Sequence, residues 1–328
     1  MILFDRIAIV GVGLLGGSLG LACKDRGLAR HIVGYGRSRD NLETAARRNV
    51  IDAYAGDLNE AVKDADLIVL CTPVGSFKTL TRMMMPSVKP GAILTDVGSV
   101  KSSVARDLGP LLPGSVHFVP GHPIAGSDKS GVASADKDLF VGAKCVLAPP
   151  SAPLDPMGSE PVADKHGRGQ SKSSQFAPAR SSAASADRSA LGRVAALWEG
   201  VGMQVIYMDP EEHDYIFGAV SHLPHVVAYA LVNAVAGLAS QKHGPVTGFC
   251  GNGFKDVTRI ASSDPAMWRD ICLANKGPLL EFIDRFQETL GQIKTSIETG
   301  EGDRLERSFA MANKHRSRIR EGTNDYRD

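Results

Sequence analysis

Ile7-Ala8-Ile9-Val10-Gly11-Val12-Gly13-Leu14-Leu15-Gly16 decides how the first half of this chain folds. Four apolar residues, three of them β-branched, make a short strand of the kind buried on both faces. Three glycines follow in the spacing Gly-x-Gly-x-x-Gly. Gly11 permits a tight turn, Gly13 lets the main chain approach a pyrophosphate, and Gly16 lets the next helix pack closely on the strand. That helix, entered through Leu14, Leu15 and Gly16, points its first amide groups and the positive end of its dipole at the phosphates. Three glycines alone could be a structural turn. A strand before them and a helix after them is the context that marks a dinucleotide site.

Further strands follow outward from the loop, at 31–35, 66–71, 92–96, 116–119, 144–147 and 204–207, with helical segments such as 42–48 and 77–85 between them. The alternation predicts an α/β fold, a Rossmann-type doubly wound domain over residues 1–208. Ligands of such sheets lie beyond the carboxyl ends of the strands. Thr72-Pro73, Asp96-Val97-Gly98-Ser99 and Gly121-His122-Pro123 fall at those ends and are expected around a nicotinamide. The acidic residue that usually grips the adenosine ribose, about 20 residues after the glycines, is replaced by Gly36, then Arg37 and Ser38. A missing carboxylate removes repulsion against a 2′-phosphate, and Arg37 can pair with one. NADP, or use of both cofactors, is the expectation. The other reading is a solvated Arg37 with NAD held by main-chain contacts.

The bulk composition fits a soluble globular protein long enough for two domains: 328 residues, 43% hydrophobic, 22% charged. A net charge of +1 gives no argument for nucleic acid or a membrane surface as partner. The longest apolar run, 226–239, falls short of the roughly 20 residues a bilayer requires. Residues 1–6 lead straight into the first strand, so no signal peptide is expected. Cys23, Cys71, Cys145, Cys250 and Cys272 are scattered and odd in number, which points to reduced thiols in the cytoplasm and to no metal site. Residues 151–189 are rich in Ser, Ala, Pro and Gly and nearly devoid of large apolar side chains. They read as a disordered insertion, unable to offset their chain entropy.

From Asp209 the pattern turns helical, over 209–328. Asp209-Pro210-Glu211-Glu212 has a capping Asp, a Pro at the first position and acids in the first turn. The apolar segments 226–238, 279–290 and 293–297 suggest helix-on-helix packing and a dimer interface, although a monomeric core would look similar. Ser221, His222 and His225 surround Pro224. Lining of a polar pocket, a satisfied core histidine and a metal pair are the alternatives, the last without a third ligand. Asp256 and Arg259 are three apart, either a surface ion pair or an arginine steadied for a substrate carboxylate.

Together these stretches resemble the prephenate/arogenate (cyclohexadienyl) dehydrogenase family of tyrosine biosynthesis. The resemblance rests on five ordered motifs: the glycine loop, Asp96-Val97-Gly98-Ser99-Val100-Lys101, Gly121-His122-Pro123-Ile124-Ala125-Gly126-Ser127-Asp128, Ser221-His222-Leu223-Pro224-His225, and Phe254-Lys255-Asp256-Val257-Thr258-Arg259 with Trp268. It implies an all-helical dimerisation domain, an NAD(P)-dependent oxidative decarboxylation of prephenate or arogenate, and a homodimer. By the same resemblance His122 accepts the substrate's hydroxyl proton, with an acidic limb of activity near the ordinary histidine value of about 6.5. Ser99 hydrogen-bonds near the reacting centre and Arg259 binds a substrate carboxylate. Ser127, Ser221, His225 and Trp268 line the pocket, and Asp128 and Lys255 form a polar gate. Asp128 is a methylene shorter than the Glu many relatives carry. No domain is expected before the glycine loop or after the short polar tail at 321–328. A 3-hydroxyacid dehydrogenase using Lys255 would leave the His122 motif unexplained. A non-catalytic NAD(P) sensor would leave His122, Ser99 and Arg259 without a task.

Overall fold

The computed structural model describes residues 1–126, 129–149 and 179–321. Strand β1 (Phe4–Val10) sits inside a parallel sheet with β2 (Ala29–Tyr35), β3 (Ala53–Tyr54), β4 (Leu67–Leu70), β5 (Ile93–Asp96) and β6 (His117–Val119), in the order β3-β2-β1-β4-β5-β6. The strand order reverses between β1 and β4, and the crevice beyond a reversal is where such sheets hold ligands. Alternate residues of β1 feed two cores. Ile7 and Ile9 pack with Leu19 and Cys23 of α1 (Leu14–Asp25) and with Leu42 and Ala45 of α2 (Arg39–Arg47). Ala8 and Val10 pack with Ala61 of α3 (Leu58–Val62), Phe77 of α4 (Phe77–Met84) and Val104 of α5 (Ser102–Leu108). The two-residue β3 escapes a sequence reading because it is too short to show alternation.

At Pro120 the chain leaves this sheet, since proline cannot donate to another rung. Strand β7 (Gly121–Pro123) pairs antiparallel with β8 (Lys144–Leu147), and β8 pairs parallel with β9 (Gln204–Tyr207). The last two expected strands thus belong to a second, three-stranded sheet. Helix α6 (Ala179–Gly200) joins β8 to β9 and begins at Ala179, not near 191. Residues 179–189 are therefore helical, a correction to the expected insertion. Ala190, Val194, Leu197 and Trp198 anchor the helix in the first core, and an anchored helix extends where an isolated one would fray. The remainder of that segment, 151–178, and the tail from 322 lie outside the described residues.

Helix α7 (Pro210–Phe217), a π-helical turn at Gly218–His222 and α8 (Leu223–Ala236) run as one continuous helix, with Asp209 accepting the Glu211 N–H at 2.9 Å as its cap. This 27-residue helix, Pro210–Ala236, has a mean hydropathy of 1.4 over 18 residues. By length and composition it could cross a membrane, which the run 226–239 alone could not. It carries buried His213, Asp214 and His222, residue types that are costly in hydrocarbon. Here they build a site. Beyond it, β10 (Ala239–Ser240) and β11 (Gly244–Pro245) form a small hairpin, so the second half is not wholly helical. Then come α9 (Asn252–Thr258) and α10 (Pro265–Ala274).

Packing divides the chain into Met1–Lys276 and Gly277–Asp328. The change to chiefly helical structure falls at 208/209, but the packing boundary falls at 276/277. The cause is α10, whose Trp268 and Ile271 bury in the second core of the sheet. The second unit consists of α11 (Lys276–Glu298) and α12 (Gly302–Glu321), where 279–290 and 293–297 merge into one helix.

Candidate active site

The glycine loop is shaped by close contact. Gly11 has φ +104°, and a Cβ there would lie 2.8 Å from the Cys71 carbonyl carbon; a Cβ on Gly16 would lie 2.2 Å from the Gly11 oxygen. Both positions exclude side chains. A Cβ on Gly13 would meet nothing within 4 Å, so the loop is bare on the side where a pyrophosphate would lie. The space beside it, about 630 Å³, is lined by Gly11, Gly13, Arg37, Ser38, Thr72 and Pro73, with Arg269 of α10 on its far side. Leu14, Leu15 and Gly16 do not line it. Leu15 packs on the first core, and Gly16 serves the strand–helix contact. Ser38 caps α2 by accepting the Asn41 N–H at 3.2 Å, and the Asn41 side chain donates to the Val12 carbonyl at 2.7 Å. Arg37 is exposed and makes no ion pair among the described residues.

A buried ion pair braces the next turn. Lys101, wholly inaccessible, bonds to Asp96 and donates to the Gly121 carbonyl at 2.6 Å. Asp96 also accepts the Gly98 N–H at 2.7 Å and the Gly121 N–H at 3.3 Å. Burial pushes the Asp96 carboxyl up against the pull of Lys101. The brace fixes the turn carrying Ser99 against the strand carrying His122.

His122 is buried, with Nδ1 at 2.8 Å from Nε2 of His213. Nδ1 of His213 lies 2.8 Å from Asp214 Oδ1. The Asp214 carboxylate accepts the Lys101 N–H at 2.7 Å and the Ser102 N–H at 2.9 Å. Burial, then the charges of His213, Lys101 and His222, push His122 well below its ordinary value. Burial also lowers His213, against its bond to Asp214. Burial alone would raise Asp214, but the bonds from His213 and the two amides hold it below the usual carboxylate range. Asn275 donates to the Asp214 carbonyl at 2.7 Å and to Nδ1 of His222 at 2.9 Å. Burial pushes His222 down to about 4. The main chain of Ser99 approaches its ring without a well-aligned bond.

Pro224 explains the π-turn. It lacks an N–H and its ring crowds the carbonyl four residues back, so the helix widens before it. One residue further on, Nδ1 of His225 lies 2.9 Å from the Ser221 carbonyl and donates to it. The His225 ring stacks on Trp268 with centroids 3.5 Å apart. Arg259 is near enough to His225 that its charge, after burial, disfavours the protonated ring. A space of about 470 Å³ is bounded by His122, Pro123, Ile124, Phe217, Val220 and Ser221.

The fold thus places His122 and Ser221 on this space, His225 against Ser221, Trp268 and Arg259 beside His225, and Ser99 beside His222. It does not bring Lys255 or Asp256 to this space: both are exposed on α9. Asp256 forms no ion pair with Arg259 among the described residues, a correction to the steadying role considered for it. Helix α9 ends at Thr258 and Arg259 opens a tighter turn, so the two do not share a helical face. Ser127 and Asp128 lie outside the described residues. Sequence reasoning missed His213, Asp214 and Asn275 and gave Asp96 and Lys101 no task. The available signal was a His-Asp pair near the start of a helix whose later turns are mostly apolar.

Residues 19–156 match the family described as prephenate dehydrogenase, nucleotide-binding domain, and residues 209–311 match prephenate dehydrogenase, dimerization domain. The chain is 32% identical to the cyclohexadienyl dehydrogenase of Zymomonas mobilis, over 96% of each chain. It is 34% identical to the prephenate dehydrogenase of Bacillus subtilis, over 95% of this chain and 75% of that one. The crystal structure of prephenate dehydrogenase from A. aeolicus with hydroxyphenyl propionate and NAD+ superposes with a TM-score of 0.79 at 32% identity, covering 96% of this chain and 98% of that one.

Proposed function

The chain belongs to the prephenate dehydrogenase family, and on that premise we propose that His122, Ser99 and Arg259 carry its oxidative decarboxylation of prephenate, arogenate or both. The substrate is a cyclohexadienol with a ring carboxylate. When bound, the nicotinamide supplies the hydride acceptor. The chain supplies a base for the hydroxyl proton and cations for the carboxylates. Unprotonated His122 takes the proton as electron density moves from the O–H bond into the carbonyl. Ser99 hydrogen-bonds beside that oxygen. Arg259 offers a planar fork to a carboxylate, and His225 and Trp268 wall the ring. The bare main chain at Gly13 and the start of α1 receive the pyrophosphate. Arg37, without a competing ion pair, favours NADP or dual use. Ser127 and Asp128 are proposed as polar residues at the pocket mouth, and Gly277–Asp328 as part of a homodimer interface. The five unpaired cysteines agree with a cytoplasmic location.

The observation that carries this reading is His122, buried and held neutral at the edge of the open space beyond the sheet. Its test is reduction of NAD+ and NADP+ followed spectrophotometrically with prephenate and with arogenate. Turnover with at least one acid is expected, and none with either overturns the reading. Arg37→Ala should weaken NADP+ about tenfold or more and NAD+ little. Equal losses would return Arg37 to solvent.

A further inference from the structure

The hydrogen bonds behind His122 fix which nitrogens carry protons. Ionised Asp214 can only accept, so Nδ1 of His213, 2.8 Å away, carries a hydrogen. Nε2 of His213 is then a lone pair, and it faces Nδ1 of His122 at 2.8 Å. That nitrogen must donate, which leaves Nε2 of His122 unprotonated. The chain runs through buried side chains and ends on two main-chain amides at the start of α5. Positioning His122 would need only a neutral acceptor. An ionised carboxylate behind a second imidazole is more than that.

We propose that the substrate's hydroxyl proton does not rest on His122 but is passed on to His213, with Asp214 as its fixed counter-charge. The inference rests on the reading above, that His122 faces the reacting hydroxyl. In the transfer the substrate O–H bond breaks and an N–H bond forms at Nε2 of His122. The Nδ1–H bond of His122 breaks as an N–H bond forms at Nε2 of His213. His122 ends neutral in its other tautomer, His213 ends as a cation against Asp214, and no electron leaves the imidazoles. Loss of carbon dioxide turns the ring oxygen into a phenolate, which takes the proton back by the same path. The base only lends a site.

The surroundings favour this division. Around the pair stand Asp214 on α7, Asp96 and Lys101 in the β5–α5 turn, His222 on the π-turn and the Cys145 thiol on β8, which burial pushes up. Lys101 opposes charge on both rings and His222 opposes it on His122, whereas Asp214 and Asp96 support charge on His213 and nothing supports it on His122. His122 lies well below its ordinary value with nothing raising it, so alone it is a weak acceptor at neutral pH.

His213→Gln separates the two roles. It keeps a neutral acceptor for His122 and a donor for Asp214 but cannot take a proton. If His213 receives the proton, kcat should fall about 10²-fold or more, with KM and nucleotide affinity within about threefold. The acidic limb of the pH profile should move to lower pH, because only His122 remains to titrate. A kcat within about threefold of wild type, or a limb that stays in place, would leave His213 as a mere prop and overturn the proposal. Should the variant not fold, ring-nitrogen NMR of the wild type during a pH titration decides: His213 should protonate before His122, and the reverse order overturns the idea. Wild-type turnover is the control, and a wild type inert toward both acids fells the functional reading and this inference with it.

Discussion

His122 has little contact with water and sits beside two other imidazoles and the Lys101 ammonium, so its protonated ring is disfavoured on every count. A depressed histidine stays neutral to a lower pH. Burial lowers His213 as well, so whichever ring of the pair protonates first, the acidic limb of kcat/KM should lie below the ordinary value of about 6.5. His122→Asn should lower kcat by about 10² to 10⁴ while nucleotide titration stays near wild type. Near-normal turnover in the variant would remove His122 from the chemistry, and a limb at or above the ordinary value would mean that neither ring of the pair sets it. Lys101 acts on the same ring through its charge. Lys101→Met leaves the Asp96 carboxyl buried without its cation, and breaking one side of such a pair costs about 3–5 kcal/mol. Urea unfolding should show that loss, and adding Asp96→Asn should recover part of it. A loss under about 1 kcal/mol would mean that the Asp96 carboxyl is neutral in the fold.

The strand, glycine loop and helix that open the chain act as one element because their main chains touch. A methyl group at position 16 would lie 2.2 Å from the Gly11 oxygen, and main chain cannot swing aside as a side chain can. Gly16→Ala should therefore move the start of α1, lowering nucleotide affinity at least tenfold together with the melting temperature. Unchanged calorimetric affinity would mean that the loop adapts. This element was legible in the sequence because strand, turn and helix are each local, and their order is itself the signal. The turn at Asp96–Lys101 was only half legible: the motif stood out, but a lysine five residues from an aspartate does not reveal that both are sealed from water. His213 and Asp214 were illegible. Their bonds reach 91 and 113 residues along the chain, to His122 and Lys101, and no periodicity encodes such a meeting. The π-turn could have been anticipated from Pro224 inside an apolar helix.

Across the whole chain, the change from alternating to helical structure was legible, but where packing divides was not, because the burial of Trp268 and Ile271 is a tertiary event. The apolar residues left over by that packing are informative. On α11, Phe286, Leu290 and Ile297 are spaced by four and seven, share one face, and remain exposed, Leu290 at 53%. Such a face needs a cover, and the match of this region to a dimerization domain favours a second copy. In a two-fold interface one substitution acts on both subunits. Each buried side chain of this size contributes about 1.5–3 kcal/mol, so Leu290→Lys should cost the dimer about 3–6 kcal/mol, or about 10² to 10⁴ in its dissociation constant. Size-exclusion chromatography with light scattering should find the wild type dimeric at micromolar concentration and the variant largely monomeric, with nucleotide binding by the glycine loop retained in both. A variant that stays dimeric would place the interface on another face, and a monomeric wild type would leave this stripe without the partner assigned to it.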